Sequence, residues 1–158
     1  MELLAYHEAG HALVAHYLGG RVQRVSIETE WDEELRAEGD TEVLWPVGQM
    51  TGGEFQEAGV LVALAGPVAE MLYSGEPYHP ALVAEWANDW DEAARLSAEF
   101  IPTDALRMKY LEAQTRRLWQ LLDDEPLWSA LAALADELLA HETLDEDQIA
   151  ETLASWLE

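Results

Sequence analysis

Residues 5–17 read "AYHEAGHALVAHY", and the reading of this stretch decides the fold. Leu3, Leu4, His7, His11, Val14 and Leu18 recur at three- and four-residue spacing, which predicts a helix over 2–18. Gly19-Gly20 stop it. Inside the helix, His7 and His11 stand four positions apart. That spacing puts them about 40° apart around the axis, on one face and one turn apart. Glu8 lies about 100° round from His7, at the edge of that face. It can reach a water on an ion held by the two imidazoles, but it is poorly placed as a ligand.

Working outward, Arg21 to Glu28 carry the β-branched Val22, Val25 and Ile27, so a strand is expected. The acidic run 29–41 reads as a loop. Residues 42–47, "EVLWPV", read as a second strand, with Pro46 marking an edge or an end. A helix is predicted from about 53 to 74, with Val60, Leu61, Leu64, Val68, Met71 and Leu72 on one apolar face. Gly66-Pro67 in its middle should kink it or admit another backbone. Residues 75–80 read as a loop, and 81–100 as a helix punctuated near Asn88. Pro102 can start a helix to about 122. Asp123 to Pro126 end that helix and begin another, to about 141. The last helix has Asp145 as N-cap and Gln148 three residues on, a capping-box arrangement. With few strands, all early, the expectation is an α+β fold that is mostly α-helical. The HExxH helix and a small sheet come first, and a C-terminal helical bundle follows. A length of 158 residues suits one domain.

Composition narrows the chemistry. There is no cysteine, which excludes disulfides, thiolate ligands and a cysteine nucleophile. Any metal must be held by His, Asp or Glu. No basic region precedes an apolar run at the start, so no secretory signal is expected. The longest apolar stretches, such as 58–69, are broken by Gly and Pro and read as too short to span a bilayer. A cytoplasmic protein without membrane insertion is the expectation. With 32 acidic against 8 basic residues the formal charge is −24, which argues against nucleic acid and anionic membranes as partners. Surface solubility explains such a charge; an acidic mimic that occupies basic clefts is the sharper alternative.

Two imidazoles at this spacing with a glutamate between them match the zinc-peptidase motif. Zinc polarises a scissile carbonyl and lowers the pKa of a bound water. Glu8 is the general base that takes the water proton. A third ligand is needed. His16 is about 140° away from His11 on the helix. Val14 and Tyr17 stand where a metzincin would have glycine and histidine. His79 and His141 lie in turn regions with no motif around them. The third ligand is therefore a carboxylate. Glu70 and Asp89 are the candidates, Glu85, Asp91 and Glu92 are outsiders, and spacing does not choose between the first two. Trp31, Trp45, Trp86 and Trp90 can line an apolar cleft or pack in the core.

The stretch "AYHEAGHALVAHYL" (5–18) resembles the opening helix of the peptidase domain of the FtsH-type zinc proteases, and "RVQRVSIE" (21–28) the strand that follows there. "LVALAGPVAEMLYSG" (61–75) is similar to that family's "LGGRAAEELIFG"-like helix. "ANDWDEAARLSAEF" (87–100) is similar to its "SNDLEQATRIA"-like segment, and "ALAALADELLAHETLDEDQI" (130–149) to its closing pattern. The resemblance implies a zinc endopeptidase with His7, His11 and Asp89 as ligands and Glu8 as general base. It makes Glu70 the residue that orients a ligand histidine. The strand around 41–46 would lie beside the cleft and accept an extended substrate by strand addition.

Departures from the family are equally visible. No Walker motif is present, Gly66-Pro67 replaces glycine-arginine, and "VAEWA" replaces the stretch before Asn88-Asp89. The expected enzyme is therefore ATP-independent and cuts peptides or unfolded segments. A homo-oligomer and a separate ATPase or adaptor are partners that the resemblance leaves open. The competing expectation is an inactive, zinc-stabilised module that binds a protein partner.

Overall fold

The computed structural model describes residues 1–28, 40–76, 83 and 86–157. Among these the chain runs α1 (Glu2–Tyr17), β1 (Arg21–Ser26), β2 (Asp40–Leu44), a 3-10 turn (Val47–Gln49) and α2 (Gly52–Ser74). It continues as α3 (Ala87–Ser97), α4 (Asp104–Leu122), α5 (Glu125–His141), β3 (Thr143–Asp145) and α6 (Glu146–Leu157). The fold is α+β and mostly helical, with one small antiparallel sheet in the order β2-β1-β3.

Helices α1 and α2 form the centre. Every residue of α1 from His7 to Ala15 is buried, so the helix is covered on all sides rather than on one stripe. Only Leu3, near its start, departs from the predicted apolar face and is exposed. Gly10 explains how closely the two helices approach. A Cβ there would lie 2.6 Å from the Ala65 carbonyl oxygen and 2.7 Å from the Ala69 Cβ. Small residues of both helices therefore meet, and the backbones pack against each other.

On α2 the predicted apolar face is buried from Val60 to Met71, with Leu72 half-buried. The helix passes through Pro67 without a break. Pro67 has no N–H for the Ala63 carbonyl, and its ring crowds the preceding turn. At 23 residues, α2 is long and apolar enough to cross a membrane by length and composition, more than the interrupted run 58–69 suggests. Most of its apolar stretch is buried in the fold, as befits a core helix.

Two elements differ from the sequence-based expectation. Asp40 and Thr41, read as the end of a loop, begin β2; residues 29–39 of that loop lie outside the described residues. The strands are also not all early. β3 pairs with β1 through Arg24↔Asp145, Val25↔Leu144 and Ser26↔Thr143. Three residues are too few to show an alternation, so only the pairing reveals the strand. Of the loop 75–80 and the helix 81–100, residues 77–82, 84 and 85 lie outside the described residues. Helix α3 starts at Ala87, so Asn88 stands in its first turn rather than breaking it.

The C-terminal helices bury aliphatic side chains at helical spacing: Leu111, Leu118 and Leu122 on α4, Leu127, Leu131, Leu134 and Leu138 on α5, Ile149 and Leu153 on α6. Each such side chain contributes about 1.5–3 kcal/mol by leaving water. Thr103 caps α4 by accepting from the Leu106 N–H at 3.3 Å. The capping box of α6 is reciprocal. Gln148 N–H donates to Asp145 Oδ1 and Asp145 N–H to Gln148 Oε1, both at 2.9 Å.

Candidate metal centre

The helical spacing of His7 and His11 brings their rings together edge to face, with centroids 4.7 Å apart. Each ring has its Nδ1 occupied. His7 Nδ1 donates to Glu70 Oε2 at 2.8 Å, and His11 Nδ1 donates to the Val62 carbonyl at 2.6 Å. Glu70 and Val62 both belong to α2. With Nδ1 engaged, each imidazole turns Nε2 the other way.

Both Nε2 atoms face Asp89 in the first turn of α3. Asp89 Oδ2 lies 2.7 Å from His7 Nε2 and 3.6 Å from His11 Nε2. The three candidate ligand atoms all fall within 4.8 Å of one another, and the group could hold a metal ion. Of the two carboxylates that spacing left open, Asp89 stands on the Nε2 side and Glu70 on the Nδ1 side. The sequence is 78 positions from His11 to Asp89, by the numbering, and only the packing of α1, α2 and α3 joins them.

Gly66 keeps the space in front of the rings. A Cβ there would lie 2.5 Å from His11 Nε2, 2.6 Å from His11 Cε1 and 2.7 Å from His7 Nε2. Gly66 therefore admits two side chains, where the sequence suggested another backbone. The donors suit a borderline-soft divalent ion: two imidazole nitrogens and one carboxylate oxygen, with no thiolate.

Electrostatics bind the group tightly. Burial alone would depress the His7 pKa, but its hydrogen bonds to Asp89 and Glu70 outweigh burial and push it up to about 10. His11 is raised as well; burial opposes the shift, and Asp89 and the nearby Glu8 overcome it. Burial would raise Asp89, yet the two imidazoles hold its carboxyl well below the usual carboxylate range.

Glu8 is buried beside the three, and its Oε2 accepts from the Thr41 hydroxyl at 2.7 Å. A cleft of about 420 Å³ opens over Glu8, His11 and Asp89, between β2, α2 and α3. Its apolar wall includes Trp45, Phe55 and Leu96. A groove of about 540 Å³ between α5 and α6 is larger, but its lining carries no histidine.

The remaining sequence candidates fall elsewhere. His16 is exposed at the end of α1, and His141 is exposed and 3.4 Å from Glu137. Asp91 is exposed, and Glu92 pairs with Arg95 at 2.5 Å. Trp90 is buried in the core. Trp86 is buried too, and its indole N–H donates to Glu70 Oε2. Trp31, His79 and Glu85 lie outside the described residues.

Sequence reasoning named Trp86 as a cleft or core residue but missed its bond to Glu70, and it missed Thr41 and the Val62 carbonyl. Only Thr41 left a signal, a hydroxyl in the half-buried row of an alternating strand. No protein-family model and no curated protein matches this chain.

Proposed function

We propose that this chain is a zinc-dependent endopeptidase that acts without ATP on peptides or unfolded segments, in the manner of the FtsH-type peptidase domains it resembles. One observation carries the reading: His7, His11 and Asp89 converge from two distant segments, with the buried carboxylate of Glu8 beside them at a cleft. His7, His11 and Asp89 would hold the ion, while Glu70 and the Val62 carbonyl orient the rings. Zinc, when bound, supplies a Lewis acid for the scissile carbonyl. Glu8 takes a proton from the attacking water and delivers it to the leaving nitrogen, so that one water and one peptide bond become a carboxylate and an amine. β2, an edge of the sheet among the described residues, offers an extended substrate a strand to pair with.

The test is elemental analysis together with cleavage of casein or a peptide by wild type and Glu8→Gln, with and without chelator. About one zinc per chain is expected, with cleavage lost in the variant and after chelation. Absence of metal refutes the reading. A second reading draws on the same three side chains, since an ion held by His7, His11 and Asp89 would clamp α1 to α3 whether or not any water is activated. In that reading the chain is a zinc-stabilised module that binds a protein partner. It predicts zinc in both proteins and cleavage by neither.

A further inference from the structure

We propose that Thr41 is a positioning residue, one that fixes the Glu8 carboxylate for proton transfer and links it to the strand on which substrate docks; this rests on the peptidase reading above. β2 alternates, with Thr41 and Val43 half-buried and Asp40, Glu42 and Leu44 exposed. Trp45 continues the half-buried row. Val43 and Trp45 spend that position on apolar packing against the core. Thr41 breaks the pattern with a hydroxyl, and the hydroxyl reaches across 33 positions of sequence to Glu8 Oε2 at 2.7 Å.

A buried carboxylate has two oxygens to satisfy, and a hydroxyl donor to an ionised oxygen makes a short, strong, directional bond. Thr41 occupies Oε2. Oε1 is left as the oxygen that works on water. The bond also fixes the side-chain torsions of a residue which, on helix geometry alone, stands at the edge of the ligand face.

The placement carries a further consequence. Thr41 pairs with Val25 in the sheet, and among the described residues its strand is the edge strand beside the cleft. A peptide that pairs with β2 lies along the strand that carries Thr41, so the strand that docks substrate and the hydroxyl that seats the base belong to one element.

The experiment compares wild type, Thr41→Val, Thr41→Ser and Glu8→Gln for kcat, KM and zinc content. Valine keeps the shape and suits a strand, so only the hydroxyl is removed. Thr41→Val should lose about tenfold or more in kcat, with KM and zinc content unchanged, because misplacing a reacting group costs on that scale. Thr41→Ser should recover most of the loss. Wild-type kcat in Thr41→Val overturns the proposal. So does a loss that Thr41→Ser shares in full, or one that tracks zinc loss, since each of these marks a merely structural threonine. Carbon-labelled glutamate supplies a readout that needs no activity. The Glu8 carboxyl resonance should move in Thr41→Val and stay in Thr41→Ser. If wild type cuts nothing while that resonance moves, the peptidase reading falls and takes this role with it, although the contact stands. If wild type cuts and the resonance is unmoved, the Thr41 inference alone falls.

Discussion

Gly66→Ala is the sharpest perturbation of the site, because one methyl group meets both imidazoles. The added Cβ would stand 2.5, 2.6 and 2.7 Å from ring atoms of His11 and His7. Non-bonded heavy atoms settle at about 3.5 Å, so the shortfall is about 0.8–1.0 Å. Metal–ligand distances tolerate about 0.2 Å, and a displacement several times larger removes at least one nitrogen from the ion. The rings cannot give easily, since Glu70 and Val62 hold them from behind. Zinc affinity should fall by at least about 100-fold, the upper end of what loss of a supporting partner costs.

The fold itself should survive Gly66→Ala. Alanine gains about 1 kcal/mol over glycine inside a helix, against an overpacking cost of about 1–3 kcal/mol. Gly59→Ala on the same helix is the control. Its Cβ would meet Leu96 Cδ1 at 2.7 Å, with the next Leu96 atoms at 3.8 and 3.9 Å. A leucine methyl can rotate away. Chelator competition measures zinc affinity, and thermal unfolding with and without zinc measures the fold. Wild-type affinity in Gly66→Ala, or an equal loss in Gly59→Ala, refutes the reasoning.

Three further outcomes follow from the same contacts. Glu70→Ala strips the Nδ1 partner from His7 and the acceptor from the buried Trp86 indole. It should cost about 10–100-fold in zinc affinity and about 1–3 kcal/mol in stability, read by chelator competition and denaturant titration. Metal-free protein should lose stability as pH climbs from 6.5 towards 10. The folded His7 pKa is raised to about 10 from 6.5, so its contribution is complete below 6.5 and vanishes as pH passes the folded value. Asp89 acts in the opposite sense, contributing above 3.8 and losing that contribution as pH falls towards its depressed folded value. Denaturant midpoints across pH should show this slope in the wild type and a flatter one in His7→Asn. Asp145→Ala breaks the capping box of α6 and should cost about 0.5–2 kcal/mol in thermal unfolding, with zinc affinity unchanged.

Much of this protein was legible along the chain. The periodicity of 2–18 located α1, Pro102 and the stretch Asp123 to Pro126 bracketed the next helices, and Asp145 and Gln148 marked the start of α6. That His7 and His11 share a face needed only 3.6 residues per turn. All of these are local properties, decided by neighbours three or four positions away. The division of labour between Glu70 and Asp89 was not of that kind. Spacing and composition leave the two carboxylates alike in a chain with 32 acidic residues, and along the sequence only the likeness to FtsH-type segments separates Asp89 from Glu70. Which side of the rings each approaches depends on how α1 and α3 pack on α2. The packing of α1 on α2 in turn rests on Gly10 against Ala65 and Ala69, and on the room at Gly66. The third strand, the Thr41 bond to Glu8 and the Val62 carbonyl beneath His11 are likewise long-range pairings. A single hydrogen bond between distant residues leaves no period in the sequence, so it exists only once the chain has closed on itself.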